Sequence, residues 1–288
     1  MTHAEGVDEG QALARRPQSL MFSFLGIYVL GRDVAVYSGS IIDVFARLDV
    51  SEEAVRSTLS RMVKRNLLTR HRQGRKMYFG LTEHATQVLE DGRRRVWETG
   101  AVNRDWDGTW TLVGFSLPDS RRSTRHDLRS QLTWGGFGLL QNGLWVAPGI
   151  KDVESILAPV EPGGSEPSDF DLSDHVTVLQ ARALSPTRSA DLVSKAFDTE
   201  QIAERYRAFL DRWDTPHPLP SAPDDLARQL LLHTDWLQLV RQDPHLPAEH
   251  LPRDWPAIRA EQVFRTLART YEPGAGKLAD AVLDELAR

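Results

Sequence analysis

The 288 residues are 41% hydrophobic and 26% charged, with a formal net charge of -5 and no cysteine. A chain of this make-up is expected to be soluble and globular and is longer than one ordinary domain, so two or three are expected. The missing cysteine excludes disulfides, thiolate metal sites and cysteine nucleophiles and is consistent with a reducing cytoplasm, and no apolar run reaches the ~18 residues of a membrane span.

Residues 1 to about 14 read as a mostly acidic, disordered tail. Leu20 to Leu30, behind Arg15 and Arg16, faintly imitates a signal peptide, but no small-residue cleavage site follows and the run serves as a core helix. That first helix is expected over Pro17 to Leu30, because proline suits a helix start. Gly39 to Leu48 is a second helical stretch, and Asp49-Val50 turns into a third.

The third helix opens at Ser51, a natural N-cap, with Glu52 and Glu53 in the first turn where the helix dipole favours carboxylates. Val55, Leu59, Met62 and Val63 make one apolar stripe. Arg56, Ser57, Ser60, Arg61 and Lys64 lie on the opposite face, and Asn66 ends the helix. Leu67 to Arg70 and Lys76 to Phe79 flank a Gln73-Gly74 turn, which predicts a hairpin. From Ala54 to Lys76 there are eight Lys or Arg and no Asp or Glu. A helix and a hairpin of one charge sign suit duplex DNA: the helix enters the major groove while Arg70, Arg72, Arg75 and Lys76 reach phosphates from the wing. An ordinary solvated basic face is the plainer explanation of such a run, but helix and hairpin agree in sign and adjoin. Three helices and a wing make a winged helix-turn-helix, closed by a polar helix from Thr82-Glu83 to about Trp97.

Charge places the partner. Residues 1–99 hold 15 Lys/Arg against 12 Asp/Glu, and residues 100–288 hold 20 against 28. DNA would repel the acidic remainder, so only the first domain should touch it. Within that remainder, Thr109 to Leu117 alternates as a strand. Ser123 to Leu132 is an arginine-rich helix, and Gly136-Phe137-Gly138 turns the chain. Leu144 to Pro148 is a strand, Ile150 to Leu157 a short helix, and Val176 to Ala181 a third strand after a Pro/Gly/Ser-rich loop over 159–168. The alternation suits a small ferredoxin-like sheet with helices on one face. Gly135 to Gly138 lacks the lysine, the preceding strand and the long following helix of a phosphate loop, so it reads as a structural turn.

The last segment reads as helical: Ala190 to Trp213 with a break near Thr199, a proline-rich linker from Pro216 to Pro223, Asp224 to Gln242, Ile258 to Tyr271 and Lys277 to Leu286. His233, Asp235, His245 and His250 match no tight metal-ligand spacing, and His233 and Asp235 fall on different helix faces. No serine-nucleophile elbow, dinucleotide fingerprint or carboxylate pair is present. No catalytic residue, metal or cofactor is therefore assigned, and the chain is not read as an enzyme.

Three stretches carry a resemblance: AVRSTLSRMVKRNLLTRHRQGRKMYFGLT, DGTWTLVGFSLPDSRRSTRHDLRSQLTWGGFGLLQNGLWVAPG and LLLHTDWLQLVRQDPHLPAEHLPRDWP. In this order they resemble the PaaX family of bacterial transcriptional repressors, named for control of phenylacetate catabolism. The resemblance implies an α+β multidomain chain. Its parts would be a winged helix-turn-helix over 15–100, a central ferredoxin-like (Cas2-like) α/β domain over 105–184 and an all-helical domain over 187–288. It also implies a cytoplasmic homodimer on palindromic double-stranded operator DNA, released by an aryl-acyl-CoA, typically phenylacetyl-CoA. An anionic CoA needs cations, and Arg121, Arg122, Arg125 and Arg129, with Arg182, are candidates; a solvated helix face explains the same arginines. Trp134, Trp145 and Trp236 could line an aromatic pocket or simply fill core. Two other classes remain: a metal-dependent nuclease of Cas2-like fold, for which Asp119 sits past the usual strand-end position, and an adaptor whose basic hairpin binds an acidic protein.

Overall fold

The computed structural model describes residues 17–98, 100–158, 160, 171–218 and 221–288. The tail expected over 1–14 lies outside the described residues, as does the loop expected over 159–168 apart from Val160. In chain order come α1 (Pro17–Tyr28), β1 (Val34–Tyr37), α2 (Ser38–Ala46), α3 (Glu52–Lys64), β2 (Leu68–Gln73), β3 (Lys76–Leu81) and α4 (Glu83–Trp97). Next are β4 (Trp110–Phe115), α5 (Arg122–Trp134), β5 (Gly138–Gln141), β6 (Leu144–Pro148), α6 (Val153–Leu157) and β7 (Val176–Ala181). The remaining elements are α7 (Ser189–Ala196), α8 (Thr199–Trp213), α9 (Asp225–Arg241), α10 (Pro256–Val282) and β8 (Glu285–Ala287).

These elements divide into two compact units. One holds the residues up to Arg94 with Leu219–Leu237 and Arg265–Arg288; the other holds Arg95–Pro218 with Gln238–Phe264. Of the segment read as helical over 187–288, residues 187–218 and 238–264 fall in the second unit and 221–237 and 265–288 in the first.

In the first unit, α1 buries Leu20, Met21, Phe24 and Leu25, and Phe24 meets the edge of Phe45 from α2 at 6.1 Å. Helix α9 belongs to this core: Tyr28 donates its hydroxyl hydrogen bond to Gln229, Thr234 Oγ1 lies 2.8 Å from Ser23 Oγ, and Arg47 pairs with Asp224. The sheet runs β2-β3-β1-β8, antiparallel throughout. Two of its strands are not legible as periodic runs. Strand β1 is only four residues long. Strand β8 corrects both the helix expected to run to Leu286 and the all-helical reading of the last segment: Val34, Ala35 and Val36 leave a sheet edge unpaired, and Ala287, Leu286 and Glu285 pair with it. The two helices expected over 258–271 and 277–286 are likewise one helix, α10, with Pro273 inside it. Proline removes one backbone donor; the helix continues because Ala275 and Ala279 are buried and Gly274 lets Asp225 lie against it, where a Cβ would stand 2.1 Å from the carboxylate.

In the second unit, β4-α5-β5-β6-α6-β7 is a β-α-β-β-α-β order with sheet sequence β5-β6-β4-β7, the ferredoxin-like arrangement. Strand β5 stands where only a glycine turn was expected. Val113, Trp145 and Ala147 face Leu128, Leu132 and Val153 of the helices in one apolar core. The sheet is not bare on its other side: α7 approaches β5 so closely that a Cβ at Gly138 would lie 2.3 Å from the Ala196 carbonyl oxygen.

Candidate nucleic-acid interface

Helix α3 is built by its own sequence. Ser51 Oγ accepts the Ala54 N–H at 3.3 Å, satisfying one of the free donors of the first turn. Helices α2 and α3 end with the same closure. Asp49 and Asn66 take left-handed backbone, φ 56° and 54°. Behind each, the next N–H bonds back five residues, Val50 to Phe45 and Leu67 to Met62, which satisfies terminal carbonyls. The buried face of α3 is Val55, Thr58, Leu59 and Met62. Val63, expected in that stripe, is half-buried, and Thr58 takes the place instead.

The opposite face presents what was expected of it. Arg56, Ser57, Arg61 and Lys64 are exposed and Ser60 is half-buried. Arg56 pairs with Glu52 one turn earlier at 2.6 Å, and Arg61 donates to Thr58 Oγ1 at 3.1 Å. Both contacts are local to the helix and both arginines are exposed, so the guanidiniums are pre-oriented at little cost to exchange.

The hairpin adds Arg70, Arg72, Arg75 and Lys76, all exposed. Gln73 pairs with Lys76, so the two-residue turn is Gly74-Arg75, one residue later than expected, and Gly74 supplies the positive φ of 60°. Side chains alternate faces along a strand. Arg70 lies on the face toward α3, its guanidinium 3.5 Å from Ser60 Oγ, and Arg72 follows on the same side. Lys76 is on the other face with Tyr78, where its ammonium donates to Asp284 Oδ2 at 2.7 Å and stands 5.0 Å over the Tyr37 ring. That hydrogen bond and charge raise the Lys76 pKa and lower that of Asp284, so both are ionised at neutral pH. Sequence reasoning missed Asp284, Tyr37 and exposed Arg65. Arg65 was visible in the charge run; Asp284, 208 residues from its lysine, had no local signal.

Of the residues suggested for an effector, Trp236 belongs to the first unit and the others to the second. Arg121 is half-buried and Arg122 and Arg129 are exposed, whereas Arg125 donates to the Leu117 carbonyl at 2.6 Å and so ties the helix to the strand exit. Arg182 pairs with Asp107 at 3.4 Å. Trp134 is 61% exposed at the end of α5, Trp145 lies in the sheet–helix core, and Trp236 is buried in the first unit. As for a nuclease centre, Asp119 lies beyond the end of β4, exposed and 3.5 Å from Arg125. Among the described residues, no group of three His, Asp or Glu is placed to hold a metal ion, and no helix is long and apolar enough to cross a membrane.

Comparison with known proteins covers the chain in three consecutive pieces. Residues 16–85 match the family model of PaaX-like proteins, residues 103–193 the PaaX protein central Cas2-like domain, and residues 197–281 the PaaX-like protein C-terminal domain. The transcriptional repressor PaaX of Escherichia coli is 27% identical over 269 residues, covering 89% of this chain and 81% of that protein. An uncharacterized protein from Mycobacterium tuberculosis has the same fold, with a TM-score of 0.58 at 20% identity over 91% of this chain and 97% of that one.

Proposed function

Since the chain belongs to the PaaX family, we propose that it is a transcriptional repressor whose first unit binds operator DNA as a winged helix-turn-helix. The observation that carries this is the exposed face of α3, with Arg56, Arg61 and Lys64, continued by Arg70 and Arg72 on the same side of the hairpin. Groove-facing arginines hydrogen-bond guanine edges, while hairpin cations neutralise phosphates. In an otherwise acidic chain this surface is where a polyanion is attracted.

A palindromic operator read by two copies follows the same reading. Strand β7, at the edge of its sheet among the described residues and with Val178 and Leu179 47% and 55% exposed, offers backbone and apolar surface on which two copies associate. The proposed inducer is an aryl-acyl-CoA such as phenylacetyl-CoA, with the α5 arginines as the cations for its phosphates.

The test is fluorescence anisotropy on DNA from the gene's own upstream region, at two salt concentrations, with and without phenylacetyl-CoA. Sequence-specific binding relieved by the thioester is expected. Specific binding indifferent to it keeps the repressor and removes that inducer. Weak, salt-sensitive binding without sequence preference overturns the operator reading and leaves an adaptor for acidic partners.

A further inference from the structure

Strand β8 is distant in sequence from the basic hairpin yet lies in its sheet, and its flanks are firmly held. Arg32 makes two hydrogen bonds to the Glu285 carboxylate, at 2.7 and 2.5 Å. Arg288 donates to the Leu81 carbonyl at 2.7 Å, and the Asp284 N–H donates to Ser40 Oγ at 3.0 Å. These contacts fix where the Asp284 carboxylate stands. It receives the Lys76 ammonium at 2.7 Å, and the Tyr78 hydroxyl lies 3.3 and 3.4 Å from its two oxygens. Lys76 is the first residue after the hairpin turn, beside Arg75, in the part of a wing that reaches a duplex.

To a lysine, a carboxylate and a phosphodiester offer the same thing: an anionic oxygen at hydrogen-bond distance. We propose that Asp284 competes with backbone phosphate for Lys76, so that the strand ending the described chain lowers the affinity of the hairpin for DNA. The inference rests on the DNA-binding reading above. Arg56 is also paired, but its Glu52 sits on the same helix and moves with it; Asp284 is brought from another segment, so its hold on Lys76 depends on β8 being docked. The Lys76 and Asp284 side chains remain 51% and 37% exposed, so an incoming phosphate can reach the ammonium while water takes up the carboxylate. An exposed pair of this kind is weak, so the expected effect on affinity is about two- to fivefold.

The experiment uses the full chain on an operator duplex and an unrelated duplex, with affinity followed over a series of salt concentrations. The variants are Asp284→Asn, Lys76→Ala and both together. Asn keeps the shape of the side chain and removes the charge, leaving one oxygen rather than two to accept hydrogen bonds. Asp284→Asn is expected to tighten binding to both duplexes by about two- to fivefold. It should also steepen the slope of log affinity against log salt by up to about 0.9, as Lys76 neutralises a phosphate in a larger share of the complexes. With Lys76 already replaced by Ala, adding Asp284→Asn should change nothing. Unchanged affinity and slope in Asp284→Asn overturn the proposal. So does an equal gain with and without Lys76, which marks general repulsion rather than competition.

A second comparison does not depend on how the strand tolerates substitution. Lys76 is occupied, so Lys76→Ala should lower affinity less than Arg75→Ala, and a loss as large refutes the competition. If the unaltered chain binds neither duplex, the DNA-binding reading itself fails, and the inference falls with it before any variant is compared.

Discussion

His233 offers a direct measure of how α9 is held in the core of the first unit. Its neighbours Thr234 and Gln229 contact α1 through Ser23 and Tyr28. Burial pushes the His233 imidazole down from 6.5 to about 4. A depressed histidine pKa means that the folded state prefers the neutral ring. Between these two values the unfolded chain binds a proton that the folded chain does not, so stability rises with pH across the window and is lost as pH falls from 6.5 toward 4. For one group with these pKa values the loss between pH 7 and pH 5 is about 2 kcal/mol. Part of the residue still touches solvent, so this is an upper figure. The assay is urea unfolding of the unaltered chain and of His233→Gln at pH 7, 6 and 5. Gln does not titrate, so the difference in stability between the two chains should shrink by up to about 2 kcal/mol on going to pH 5. If the two pH profiles run parallel, the imidazole is not buried in its neutral form and the packing assigned to α9 is wrong.

Three further outcomes are expected. Arg61→Ala should cost ~1–3 kcal/mol on operator DNA and relax preference at one base position, whereas Arg72→Ala should weaken binding to every sequence alike and lower the salt slope by about one; titrations on operator and scrambled duplexes separate the two. Asn66→Val places a β-branched residue at φ 54° and should lose ~1–2 kcal/mol in denaturant unfolding, while Asn66→Gly should be neutral or stabilising. Gly138→Ala puts a methyl 2.3 Å from the Ala196 carbonyl oxygen and should destabilise the second unit by ~1–3 kcal/mol, read as a lower thermal midpoint.

The legible parts of this protein are those where neighbours within a dozen residues decide the outcome. Ser51 caps α3 whatever lies elsewhere, the apolar spacing of Val55, Leu59 and Met62 selects the buried face, and the charges of Arg56, Arg61, Arg70 and Arg72 stay on the surface because burying them unpaired is costly. The order of strands and helices in the second unit was readable for the same reason, apart from short β5. Tertiary structure alone decided the rest. Strand β8 is specified by the free edge that β1 leaves, not by its own three residues, and α10 runs through Pro273 because burial on both sides of the proline outweighs one lost hydrogen bond. The pairing of Lys76 with Asp284 follows from β8 alone. Helix periodicity and charge are properties of a local stretch of chain; which edge or face remains to be covered becomes a physical fact only once the chain has folded.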